Sequence, residues 1–76
     1  MRKRSISIKG HRTSVLLEPE FWCALEDAAA RRGVTLPKLI GEIDRKRTKQ
    51  TPTPGLASAL RVFALLEAQS GVRDEA

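Results

Sequence analysis

Seven residues, His11-Arg12-Thr13-Ser14-Val15-Leu16-Leu17, run without a break into Glu18-Pro19-Glu20, and this junction limits the fold more than any other feature. Thr13, Val15 and Leu17 fall on one face of an extended chain and Arg12, Ser14 and Leu16 on the other. That is the period-2 signature of a half-buried strand. Pro19 then suits a first helical turn, where a missing N–H costs nothing, and the flanking glutamates suit the positive end of the helix dipole. The chain must therefore turn from strand to helix with almost no loop.

The rest of the chain can be placed around this junction. Ile6 and Ile8 alternate with Ser5, Ser7 and Lys9, so residues 5–9 form either a second strand or a basic arm. Lys9-Gly10 between the two runs can make a two-residue hairpin turn, with Gly10 at positive φ. In the first helix Phe21, Leu25, Ala28 and Ala29 make an apolar stripe, Arg31 and Arg32 suit its C-terminal end, and Gly33 stops it. Trp22 belongs at the rim of the core or against the third helix, and Cys23, beside the stripe, reads as a small buried or half-buried hydrophobe.

Thr35 is the expected N-cap of a second helix, with Pro37 in its first turn and Leu36, Leu39, Ile40 and Ile43 as its stripe. Residues 48–55 carry two prolines and a glycine and read as a linker. A third helix is expected from about Leu56 to Gln69, with Leu56, Ala59, Leu60, Phe63 and Leu66 on one face. The expected division is residues 1–10 as basic arm or extra strand, 11–69 as the domain, and 70–76 as a frayed tail.

At 76 residues, with one cysteine and one histidine, the chain can be stapled neither by a disulfide nor by a four-ligand metal site. The remaining route to stability at this size is a second copy that completes the core. No apolar run reaches the roughly 18 residues of a membrane span, and no apolar stretch follows the N-terminal charges as in a secretory signal. A cytoplasmic location is the expectation. No G-x-S-x-G, phosphate loop or H-E-x-x-H is present. A lone His11 beside Gly10 suits a turn or a phosphate contact better than a general base. No enzyme, cofactor or metal is expected.

Charge points instead to a partner. The formal net charge is +5. Residues 1–17 carry Arg2, Lys3, Arg4, Lys9 and Arg12 and no acid, whereas nine basic and nine acidic residues balance over 18–76. A basic strand on a neutral helical body suits double-stranded DNA. A two-stranded β-ribbon fits the major groove, where alternate side chains reach base edges. One strand per chain needs a second copy to make that ribbon, so size and strand count both ask for a homodimer. Arg12, Ser14 and Leu16 would read bases, and Arg2, Lys3, Arg4, Lys9 and His11 would lie against phosphates. The Arg45–Lys49 cluster reads as a solvated helix end.

The order strand, helix, glycine turn, helix over residues 11–47 resembles the ribbon–helix–helix superfamily of dimeric repressors, to which Arc and MetJ belong. Over residues 4–66 the chain is similar to a bacterial ribbon–helix–helix subfamily. That similarity is carried by Gly10-His11-Arg12-Thr13-Ser14-Val15, Glu18-Pro19-Glu20-Phe21-Trp22, Gly33-Val34-Thr35-Leu36, Ile43-Asp44 and Ser58-Ala59-Leu60-Arg61-Val62-Phe63.

The resemblance implies a mainly α fold with a short N-terminal β-ribbon, an intertwined homodimer whose ribbon enters the major groove, and a third helix beyond the minimal motif. It also implies a phosphate anchor at the start of the second helix, here Val34, Thr35 and Leu36 with Lys38 nearby. Leu16 departs from the pattern, standing where a polar reader is usual. Either shape readout compensates, or residues 6–8 fold back over Leu16 and mask the ribbon.

The expected function is a dimeric DNA-binding transcriptional regulator. Two rivals share the fold. One is the antitoxin of a toxin–antitoxin pair, for which the seven residues after Gln69 make a short toxin-wrapping tail. The other is a protein-interaction adaptor that has lost DNA binding and uses helix 56–69 as its docking surface.

Overall fold

The computed structural model of the protein describes the backbone of residues 1–75 and the side chains of residues 1–70. Two strands, β1 (Arg2–Ile8) and β2 (His11–Leu17), are followed by three helices: α1 (Pro19–Arg32), α2 (Leu36–Arg47) and α3 (Leu56–Glu75). Of the expected tail, the side chains of residues 71–76 lie outside the described residues. The fold is a two-stranded antiparallel ribbon on a three-helix body.

The ribbon is a hairpin within one chain. β1 pairs antiparallel with β2 in a register that runs from Arg2↔Leu17 to Ile8↔His11. Lys9 (φ 51°) and Gly10 (φ 80°) make the turn. Positive φ at both central residues matches the right-handed twist of the flanking strands. One edge of β2 is thus paired by β1 of the same chain.

α1 begins with Pro19 in its first turn behind Glu18, and it ends where Gly33 turns left-handed at φ 67°. The Gly33 N–H donates to Ala30 O at 3.1 Å and the Val34 N–H to Ala29 O at 3.0 Å, which closes the helix end. α2 starts at Thr35, whose hydroxyl accepts from the Lys38 N–H at 3.2 Å.

The core lies between the inner face of the ribbon and the helices. Ile6, Ile8, Val15 and Leu17 point down from the strands onto Trp22, Leu25, Ala28 and Ala29 of α1, Leu39, Ile40 and Ile43 of α2, and Leu60 of α3. Among the described residues no buried side-chain nitrogen or oxygen lacks a hydrogen-bond partner. The ribbon and all three helices thus share one buried apolar cluster.

Three packing details differ from the sequence reading. Trp22, expected at the rim, is 1% exposed, while Phe21 is only partly buried and Cys23 is exposed. The reason is β1: its strand arrives over α1, and the Trp22 indole N–H donates to Arg2 O at 3.0 Å. The stripe that faces the core thus begins at Trp22 instead of Phe21, with Leu25, Ala28 and Ala29 buried as expected. On α3, Ala64 is buried and Leu66 exposed, because Leu66 lines a groove between α2 and α3 instead of the core.

α3 is held to α1 at two places. Arg61 donates to Glu18 Oε1 at 3.0 Å and lies over the Phe21 ring, while Arg31 and Arg32 reach Glu67 at 3.4 and 3.0 Å. No helix of the described residues is long and apolar enough to cross a membrane.

Candidate nucleic-acid interface

Period-2 alternation and the hairpin register together define a second face of the ribbon, opposite the core. On β2 it carries Arg12, Ser14 and Leu16; on β1 it carries Lys3, Ser5 and Ser7. Cross-strand pairing sets these side by side as Ser7↔Arg12, Ser5↔Ser14 and Lys3↔Leu16. All six are exposed, and none is acidic. Directly opposed side chains have Cβ atoms about 4.5–5.5 Å apart, so the six form one compact row, hydrogen-bonding throughout except at Leu16. Arg12 offers a bidentate fork and the serines offer hydroxyls that donate or accept.

Leu16 is 47% exposed. Residues 6–8 do fold back as part of β1, but they pair with the edge of β2 and send Ile6 and Ile8 into the core. They do not cover Leu16, and the outward row stays open.

The other basic residues divide. Arg2 is exposed at the open end of the hairpin, and Lys9 and His11 are exposed at its turn. By parity Arg2 and His11 belong to the inner face, opposite Leu17 and Ile8, and are exposed because they stand at its two ends. Arg4 also lies on the inner side but is half-buried, with its guanidinium 3.2 Å from Glu26 Oε2 and 4.8 Å from the centre of the Trp22 ring. Arg4, read from sequence as a phosphate contact, is engaged as a clasp between β1 and α1. Its charge is already partnered.

At the start of α2 the backbone donors are largely spent. The Val34 N–H closes the end of α1, Pro37 has none, and the Lys38 N–H donates to Thr35. The Val34 N–H is therefore not available to a phosphate. Among the described residues the Thr35 and Leu36 N–H groups have no intrachain hydrogen bond. These two, with the exposed Lys38 ammonium, are what the helix start can offer an anion.

Sequence reasoning missed Ser5 and Ser7. The signal for them was present in the alternation with Ile6 and Ile8, but it acquires meaning only once β1 is paired to β2. Among the described residues no group of three or more His, Cys, Asp or Glu side chains is placed to hold a metal ion. Trp22, buried beneath β1, cannot stack on a base.

In comparison with known proteins, the model of a family described as a ribbon-helix-helix domain matches residues 1–68. No curated protein and no solved structure matches the chain.

Proposed function

The chain belongs to the ribbon-helix-helix domain family, and from that premise we propose that it is a DNA-binding transcriptional regulator, acting in the cytoplasm as a homodimer. The observation that carries this reading is the asymmetry of the ribbon: one face is core and the other is an open row with two cations and no acid. A two-stranded ribbon is the right width to enter the major groove and present alternate side chains to base edges.

In this reading Arg12 and Ser14 read bases and Leu16 meets a thymine methyl. Arg2, Lys3, Lys9 and His11 lie against phosphates, and Thr35, Leu36 and Lys38 add a further anchor. The test is fluorescence anisotropy of a duplex taken from upstream of the chain's own gene, against a scrambled duplex, over a salt series. With about six phosphates neutralised per dimer, log affinity falls against log salt with a slope near −5. The native duplex should bind more tightly throughout. Weak, equal binding to both duplexes that vanishes by physiological salt would overturn the proposal.

A second reading, favoured by α3, keeps the fold and adds a protein partner, as in an antitoxin or an adaptor. Val62, Leu65 and Leu66 are each more than half exposed, and Val62 and Leu66 line a groove of about 340 Å³ against α2. Light scattering separates the cases. If Leu66→Glu converts a dimer to monomers, the face pairs copies of this chain. If the dimer persists and still binds DNA, the face is free for another protein.

A further inference from the structure

We infer that the groove between α2 and α3 takes up an acidic amphipathic helix of a partner protein, with its apolar side chains on α3 and its carboxylates beside the cations at the end of α2. The inference deepens the protein-partner reading of α3 and rests on it. It is independent of what the ribbon does on DNA.

Shape is the first observation. α3 is apolar on two sides. One side buries Leu60 and Ala64, whereas Val62, Leu65 and Leu66 are 53%, 55% and 57% exposed on the other. The charged residues of this stretch, Arg61 and Glu67, are engaged with Glu18 and with Arg31 and Arg32. A helix that is apolar on both sides is built to be covered on both. Val62 and Leu66 line the groove together with Leu39 and Ile43 of α2, and its α3 side runs from Ser58 to Leu66. That is about 12 Å of helix, the span of anchors at i, i+4 and i+7 on a docked helix.

Charge decides which helix fits. Arg32, Lys46 and Arg47 line the groove with a single acid, Glu42. Arg47 is held by Asp44 at 2.6 Å and by the Pro54 carbonyl at 3.0 Å, and Arg32 by Glu67 and the Phe63 ring. Lys46 is exposed, as are Arg45 and Lys49. Among the described residues none of these three has a carboxylate within ion-pair distance. Three uncompensated cations therefore stand at the C-terminal end of α2, one of them within the groove. They favour a partner with carboxylates and repel a basic one. A second copy offers no such helix. Among the described residues the exposed acids, Glu20, Glu26 and Asp27, all lie on α1, where no exposed leucine, isoleucine, valine or aromatic stands beside them.

The test uses the full chain and a displayed library of helical peptides of about 16 residues, with leucine fixed at i, i+4 and i+7. The other positions vary among Glu, Lys and Gln. Retained peptides should be rich in Glu, and their affinity should fall as salt is raised. Leu66→Ser and Lys46→Glu, both at exposed positions, should each weaken a retained peptide about tenfold, with circular-dichroism melts unchanged. A library selected on Lys46→Glu should shift toward Lys.

Retained peptides without an acidic bias, or a bias that Lys46→Glu does not alter, would overturn the inference and leave a protein partner of other chemistry. If no peptide is retained, the inference is likewise overturned, and two further readings say why. Leu66→Ser turning a dimer into monomers would assign the face to a second copy and remove the partner reading as well. Loss of duplex affinity in Lys46→Glu would assign the cations to DNA phosphates.

Discussion

Leu16 and Leu17 are neighbours of identical chemistry, yet one is 47% exposed and the other fully buried. The same contrast runs along the whole hairpin. Its inner face carries Ile6, Ile8, Val15 and Leu17 onto the helices; its outer face carries Lys3, Ser5, Ser7, Arg12, Ser14 and Leu16 into solvent. What separates the faces is parity alone, since successive residues of a strand point to opposite sides. Stability and recognition are therefore written on alternate residues of the same two strands. The two properties should be separable by point mutation.

The largest effect expected from that contrast is at Leu17. Leu17→Ala removes a fully buried side chain above α1 and should lower stability by about 2–5 kcal/mol, read as a fall in the urea midpoint. Leu16→Ala should stay within about 0.5 kcal/mol. Similar losses at the two positions would break the division of labour. A smaller loss is expected from Trp22→Phe, which keeps most of the apolar bulk but leaves the Arg2 carbonyl without its donor. It should cost about 1 kcal/mol, and hydrogen exchange at the open end of the hairpin should quicken. Unchanged exchange there would mean that the indole bond does not hold β1.

How far this contrast could be read beforehand depends on the kind of signal. The outward position of Arg12, Ser14 and Leu16 needed only the alternation of residues 11–17, and the starts of α1 and α2 needed only Pro19, Thr35 and Pro37. Both are local, and local rules placed them. The burial of Trp22 instead of Phe21 is not local: either residue extends a stripe through Leu25, and only the arrival of β1 chooses between them. Arg4 illustrates the same limit. Its charge suggested a phosphate contact, whereas its parity, matching that of Ile6 and Ile8, already pointed it inward toward Glu26 and Trp22. Charge was the weaker guide and parity the better one. Ser5 and Ser7 were hidden because Lys9-Gly10 is a weak turn signal, so the pairing that aligns them with β2 was not evident from sequence.

Arg4 and Lys3 sharpen the comparison in adjacent residues. Arg4 sits over the Trp22 ring and against Glu26, with 32% of its side chain exposed. Arg4→Ala should therefore cost about 0.5–1 kcal/mol of stability and leave the salt slope of DNA binding unchanged. Lys3→Ala should do the reverse: no measurable change in the urea midpoint, weaker binding to all duplexes, and a salt slope smaller by about 2, one contact being lost from each copy. An Arg4→Ala variant that also flattened the slope would show that the clasp opens on DNA.

The smallest effect lies away from the ribbon, where α3 meets α1. Glu18 accepts from Arg61 Nε at 3.0 Å. Its carboxyl is held below the usual glutamate range, first by its own backbone N–H and next by the Arg61 hydrogen bond, against a small opposing desolvation. A carboxylate whose folded pKa is depressed contributes stability that is fully present above its unfolded value. That contribution is lost as pH falls through the folded value. The urea midpoint should therefore be flat in this respect at neutral pH and decline below about pH 4. Glu18→Gln should remove part of that decline while leaving the midpoint at pH 7 slightly lowered. Because Glu18 is solvent-exposed, the effect is a modest one, screened further by added salt. An acid limb of the same depth in the variant would assign the decline to other carboxylates and reduce the Arg61 contact to a packing role on Phe21. In either case the outward row contains no carboxylate, so the pH response of stability should not be mirrored in base preference.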